Sequence, residues 1–236
     1  MVVLAGLCLL GISGCGGVAA QARNAEGVRL YDQSRYEDAI GQFQLAVNYD
    51  PNHADGYYNL GAVHHRLGLQ SQDPSQFAQA EHYYNQCLDR DEGHRHCYRG
   101  LAVLLVEQER SEEAFRLIEG WADRNPNSPE PKIELARLME EFGDREAAKQ
   151  NLLEALASDP QNARALAALG KLREQTGEYA LALNDYQQSL WKDRFQPEVA
   201  ARVAALQSAV GSTPLTTVGT PTESTRVVSR NSSPLR

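Results

Sequence analysis

The sequence predicts an all-α solenoid: a row of helix–turn–helix units closed by one further helix. Three observations carry this. Alanine and leucine are frequent, while β-branched runs and strand-like alternation are scarce. Small residues recur inside helical patterns at Gly27, Gly61, Ala102, Ala136 and Gly170, most of them about 34 residues apart. Two further columns keep the same register, Ala39, Ala80, Ala114, Ala148 and Ala182, and the bulky Phe43, Tyr84, Ile118, Leu152 and Tyr186. Pro51, Pro126 and Pro160 follow the second helix of their units, where proline ends a helix because it cannot continue one.

These columns resemble the tetratricopeptide repeat (TPR) family over roughly residues 20–195. The clearest copy is "ADGYYNLGAVHHRLG", with Tyr57, Leu60 and Gly61 at signature positions. The resemblance implies a TPR α-solenoid, a right-handed superhelix of five repeats at about 20–53, 54–94, 95–128, 129–162 and 163–195. Small residues would let helix A approach helix B, and bulky ones would fill the space toward the next repeat. The second repeat is longer than its neighbours, and its excess, "GLQSQDPSQFAQ", is expected to form an exposed loop. Trp121 stands in a column that holds Ala46 and Ala155, so the third helix pair is expected to splay.

Val199, Val203 and Leu206 recur at helical spacing, which predicts a capping helix over 196–208. Beyond it, 209–236 is Ser/Thr/Pro-rich, with Arg226, Arg230 and Arg236 against Glu223, and is expected to be disordered. A tether, a modification site, a basic contact and a plain solvated end all fit it.

At the other end, "MVVLAGLCLLGISGCGG" is uncharged and apolar from Val2 to Ile12, too short for a spanning helix of about 20 residues. Ile12-Ser13-Gly14-Cys15 resembles the bacterial lipobox, which implies a lipoprotein-type signal over 1–14, lipidation of Cys15 and an anchor linker over 15–19. That pattern prefers leucine at Ile12 and a basic start, which is missing, so Met1 is expected to be a wrong or truncated start. An uncleaved N-terminal anchor is the alternative. The lipobox resemblance implies a protein at the cell envelope, lipid-anchored and facing the periplasm or exterior.

Charge narrows the function classes. Lys and Arg number 23 against 31 Asp and Glu, a formal net charge of −8, and no basic cluster marks a nucleic-acid footprint. Catalytic and nucleotide-binding signatures are absent, and carboxylates such as those in "MEEFGDREAAK" lie along solvated helix faces. No enzyme activity, cofactor or small-molecule substrate is expected; the partners are one or more proteins and, through the lipid, a membrane.

The TPR resemblance implies a concave groove lined by the A helices. Its columns fall on Asn24, Val28 and Tyr31; on Tyr58, Ala62, His65 and Arg66; and on His96, Arg99, Val103 and Val106. In the last repeats they fall on Glu130, Ile133, Arg137 and Glu140, then Arg164, Ala167, Lys171 and Glu174. Aromatics mixed with Arg and His are the composition of interface hot spots. The carboxylate clamp of chaperone-binding relatives maps onto Asn24, Val28, Asn59, His96 and Gly100, and only Asn59 matches.

"DEGHRHCYRG" raises a competing chemistry. Cys87, His94, His96 and Cys97 are the residue types of a transition-metal or redox site. The repeat register instead gives both cysteines columns for small buried residues and points His96 into the groove. Core thiols, a Cys87–Cys97 disulfide and a metal site stay open as alternatives.

Overall fold

The computed structural model describes residues 13–211, which form eleven α-helices and no strand. They are α1 (Ser13–Asp32), α2 (Tyr36–Tyr49), α3 (Ala54–Ser71), α4 (Pro74–Leu88), α5 (Arg95–Glu107) and α6 (Ser111–Arg124). They continue as α7 (Pro129–Glu141), α8 (Arg145–Ser158), α9 (Ala163–Gln175), α10 (Tyr179–Lys192) and α11 (Pro197–Gly211). Residues 1–12, most of the expected signal, and 212–236, most of the expected tail, lie outside the described residues, and so does the Cys15 side chain.

Local chemistry sets the helix starts. Orphan N–H groups of a first turn need an acceptor, and the preceding side chain supplies it. His53 Nδ1 accepts from the Gly56 N–H at 2.9 Å, and Asn162 Oδ1 accepts from Ala165 at 3.1 Å. Asp73 accepts from Ser75 at 2.9 Å, with Pro74 in the first helical position, where its missing N–H costs nothing.

Ten helices pair as antiparallel hairpins, and α11 packs on α10 as the cap that an open repeat end requires. Each odd-numbered helix from α1 to α7 also touches the next odd-numbered one, so α1, α3, α5, α7 and α9 form the inner layer of the solenoid. The hairpins close where the sequence columns meet. A Cβ on Gly27 would overlap the Phe43 ring, one on Gly61 would lie 2.6 Å from Tyr84 Cδ1, and one on Gly170 would lie 2.8 Å from Tyr186 Cδ1. Glycine therefore stands wherever the bulky column is aromatic. Ala102 and Ala136 stand in the repeats whose bulky residues are Ile118 and Leu152, all four buried.

Three local expectations meet different fates. The long second repeat has no extended loop: α3 and α4 grow to 18 and 15 residues, and only Gln72 and Asp73 separate them. A buried Gly68 admits the Phe77 ring, so the extra turns pack against each other rather than fraying, and Gln72 at φ 55° turns the chain. Residues 15–19, expected as a linker, are helical and belong to α1. Gly16 comes close to the Tyr49 carbonyl, and Ala20 is fully buried. Trp121 does open its hairpin: α5 and α6 approach along less of their length than the other four pairs. The indole is buried and stacked on Tyr98, centroids 4.2 Å apart and planes at 6°.

Candidate binding groove

The inner helices present the expected groove residues in three environments. Near the N-terminal end, Asn24 and Asn59 satisfy each other across α1 and α3, with Asn59 Nδ2 donating to Asn24 Oδ1 at 2.8 Å. Tyr31 meets Tyr36 edge to face at 5.4 Å, and burial pushes its phenol up. Arg66 lies exposed beside the Tyr36 hydroxyl.

The middle is an aromatic and histidine wall. Tyr58 is half-buried, its ring centroid 5.7 Å from both His94 and His96 and 6.1 Å from Tyr84. Partial burial, then the positive charge of Arg95, His94, Arg164 and Arg99, holds the His96 imidazole below its usual range. Arg99 is exposed and has neither an ion pair nor a hydrogen bond among the described residues. His65 differs from the rest of its column: it is only 8% exposed, with Nε2 at 2.5 Å from Glu107 Oε2 and Tyr84 Oη at 3.4 Å from Nδ1. It sits in the packing between α3, α4 and α5, and burial pushes the Tyr84 phenol well up, so that oxygen keeps its proton.

Toward the C-terminal end the inner layer opens into a trough of about 970 Å³ that runs from Arg99 across α7 and α9 to α11. Ile133, Ala136, Ala167, Ala168 and Leu172 supply an apolar floor. Charged pairs form its walls, Lys171 with Glu140 at 2.7 Å and Arg202 with Glu174, and Arg137 joins them on the lining. Beneath them Glu134, 1% exposed, accepts from Arg137 Nε at 3.2 Å and from Arg164 Nη2 at 2.5 Å. A buried carboxylate needs such partners, and two guanidinium groups from α7 and α9 provide them.

The α11 wall was not legible as part of the groove. Arg202, Glu198 and Val199 line it, whereas the valine and leucine stripe of that segment reads only as a cap. Glu198 and Arg202, one turn apart and flanking that stripe, were the available signal.

The four cysteine and histidine candidates separate. Cys87 in the last turn of α4 and Cys97 in the first turn of α5 are fully buried and joined by a disulfide, Cα atoms 6.4 Å apart. His94 caps α5 beside them, and His96 faces Tyr58 instead.

Family models described as TPR repeat and tetratricopeptide repeat match residues 27–68, 73–138 and 105–172. The chain is a tetratricopeptide repeat protein. It is 32% identical over 126 residues to the cellulose synthase operon protein C of Pseudomonas fluorescens, a match covering 50% of this chain and 10% of that protein. Among solved structures, a thermophilic TPR protein of Thermus thermophilus, TTC0263, superposes with a TM-score of 0.58 at 23% identity, covering 80% of this chain and all of the other. PilW, described as a widely conserved type IV pilus biogenesis factor, superposes with a TM-score of 0.53 at 14% identity, covering 82% of this chain and 87% of its own. Among the described residues no helix is long and apolar enough to cross a membrane.

Proposed function

We propose that the protein is a non-catalytic scaffold, lipid-anchored through Cys15 at the bacterial cell envelope, that holds a segment of a partner protein along its inner face. The trough carries this reading. It joins an apolar floor to a rim on which Arg99 is a cation with no ion pair or hydrogen bond among the described residues, so a bound chain can contribute both the apolar contacts and an anion. Tyr58 and His96 extend the same wall with aromatic surface.

The test is site-specific photocrosslinking in the native membrane. A photoreactive residue in place of Arg99 should give one discrete protein adduct, and the same residue at Glu119 on the outer helix α6 should not. Equal adducts from both faces sink the groove assignment. Intact mass of the membrane-extracted protein reads the anchor: a chain beginning at Cys15 with added acyl mass is expected, and an unmodified Cys15 overturns that part.

A second reading places the scaffold as the accessory subunit of an envelope machine for pilus or glycan assembly. The likeness to a protein of a cellulose synthase operon favours it, and the identity of the crosslinked partner decides it.

A further inference from the structure

The inner helices are capped by different side chains, and two of the caps are histidines. His53 and His94 do the same work at the starts of α3 and α5, each accepting an N–H through Nδ1. Capping accounts for all that is seen of His53. His94 has further neighbours of chemical interest. Its Nε2 lies 3.0 Å from Asp55 Oδ1, a carboxylate on the preceding inner helix. A nitrogen of its ring and the sulfurs of Cys87 and Cys97 all lie within 4.8 Å of one another.

We propose that, when the Cys87–Cys97 disulfide is reduced, Cys87, Cys97 and His94 bind a thiophilic d10 cation, zinc or copper(I). Two thiolates and one imidazole are a donor set that such ions select over hard oxygen sites. Asp55 occupies Nε2, which leaves Nδ1 to coordinate, and a carboxylate on the outer nitrogen is the arrangement that orients metal-bound histidines. Coordination takes the Nδ1 lone pair from the Cys97 N–H at 3.2 Å. That N–H is not stranded, because it also reaches the His94 carbonyl at 3.0 Å. Both sulfurs are fully buried, while the capping turn, with Asp91, Glu92 and Gly93 exposed, is the approach from solvent.

The chemistry balances in two steps. A dithiol reductant passes two electrons and two protons to the disulfide and becomes a disulfide itself. Each of the two thiols then loses its proton as its sulfur bonds to the ion. Three protein donors complete a trigonal copper(I) site and leave zinc one position for water. His96 takes no part. Its ring packs on Tyr58, as does His94, so the ion would sit directly behind the aromatic wall of the groove.

The experiment uses the full chain, reduced with a phosphine under argon and freed of it. Zinc is titrated against a chromophoric chelator, copper(I) against bicinchoninate, and cobalt(II) is added as a spectroscopic probe. One equivalent of zinc or copper(I) and an intense thiolate-to-cobalt absorption are expected, both lost in the oxidised protein. Asn162 already caps α9, so His94→Asn should keep the fold, checked by its melting temperature, while lowering metal affinity at least about tenfold. Asp55→Asn, on a largely exposed side chain, should lower it about 10- to 100-fold. Absence of the cobalt band, or a folded His94→Asn variant that binds as tightly as the parent, overturns the site.

Discussion

Gly27 lies against the face of Phe43, so close that a methyl group on Gly27 would overlap the ring. The same relation joins Gly61 to Tyr84 and Gly170 to Tyr186, and it sets how near the two helices of those repeats come. Gly27→Ala should destabilise the protein by about 1–3 kcal/mol through overpacking. A Phe43→Leu change made in the same chain should recover part of that loss, a coupling of about 0.5–3 kcal/mol in a double-mutant cycle. Denaturant unfolding of the four variants measures it, and strict additivity would show that the two residues do not compete for one space.

Trp121 is buried by Tyr98 in the most open hairpin. Trp121→Ala leaves a cavity in the largest core cluster and should cost about 3–5 kcal/mol. A melting temperature that barely moves would mean that α6 closes onto α5 to fill the gap.

Glu134 is buried beneath Arg137 and Arg164. Removing Arg164 leaves one guanidinium for a carboxylate that needs two, so Arg164→Ala should lower stability by about 1–3 kcal/mol. The double variant Arg164→Ala with Glu134→Gln should regain part of it, because a neutral amide tolerates burial better. If the single variant is as stable as the parent, water replaces the lost guanidinium.

Reduction of the Cys87–Cys97 disulfide, which closes a loop with a sequence separation of 10, should lower stability by about 2–3 kcal/mol in the chain-entropy account. Thermal melts with and without reductant, compared with a Cys87→Ala and Cys97→Ala double variant, provide the check. An unchanged melt would leave the staple without energetic effect.

Acid should weaken the fold. Glu174 is held below the usual carboxylate range first by the hydrogen bond from Arg202, Glu178 by that from Lys149, and Glu113 by that from Arg110. A depressed carboxylate contributes stability that is present above its unfolded value near 4.5 and is lost as pH falls through the folded value. Asp185, raised chiefly by burial, works in the opposite direction. The melting temperature should therefore drop below about pH 4.5, and less steeply in Glu174→Gln. Equal slopes in the two proteins would remove Glu174 from that account.

The sequence alone determined the repeat. A small residue and a bulky residue recur in register in all five copies, and a terminal proline in three, because every hairpin solves the same packing problem. Features that break the register were harder to place. The excess in the second repeat has no column, and only the fit of Gly68 to Phe77 turns it from loop into helix. Trp121 sits in an alanine column, which announced a splay; that Tyr98 stacks on it required the neighbouring helix.

Tertiary structure alone decided the availability of the groove side chains. His65 and His96 both fall on columns assigned to the groove, yet one is enclosed by Tyr84 and Glu107 and the other borders Tyr58 at the open wall. A column gives a direction from the helix axis. Burial depends on how far adjacent helices approach along that direction, which is a property of pairs. Glu134 and Arg164 lie 30 residues apart, and Asp55 and His94 lie 39 apart. No local pattern marks either contact, and each forms because successive inner helices stack side by side.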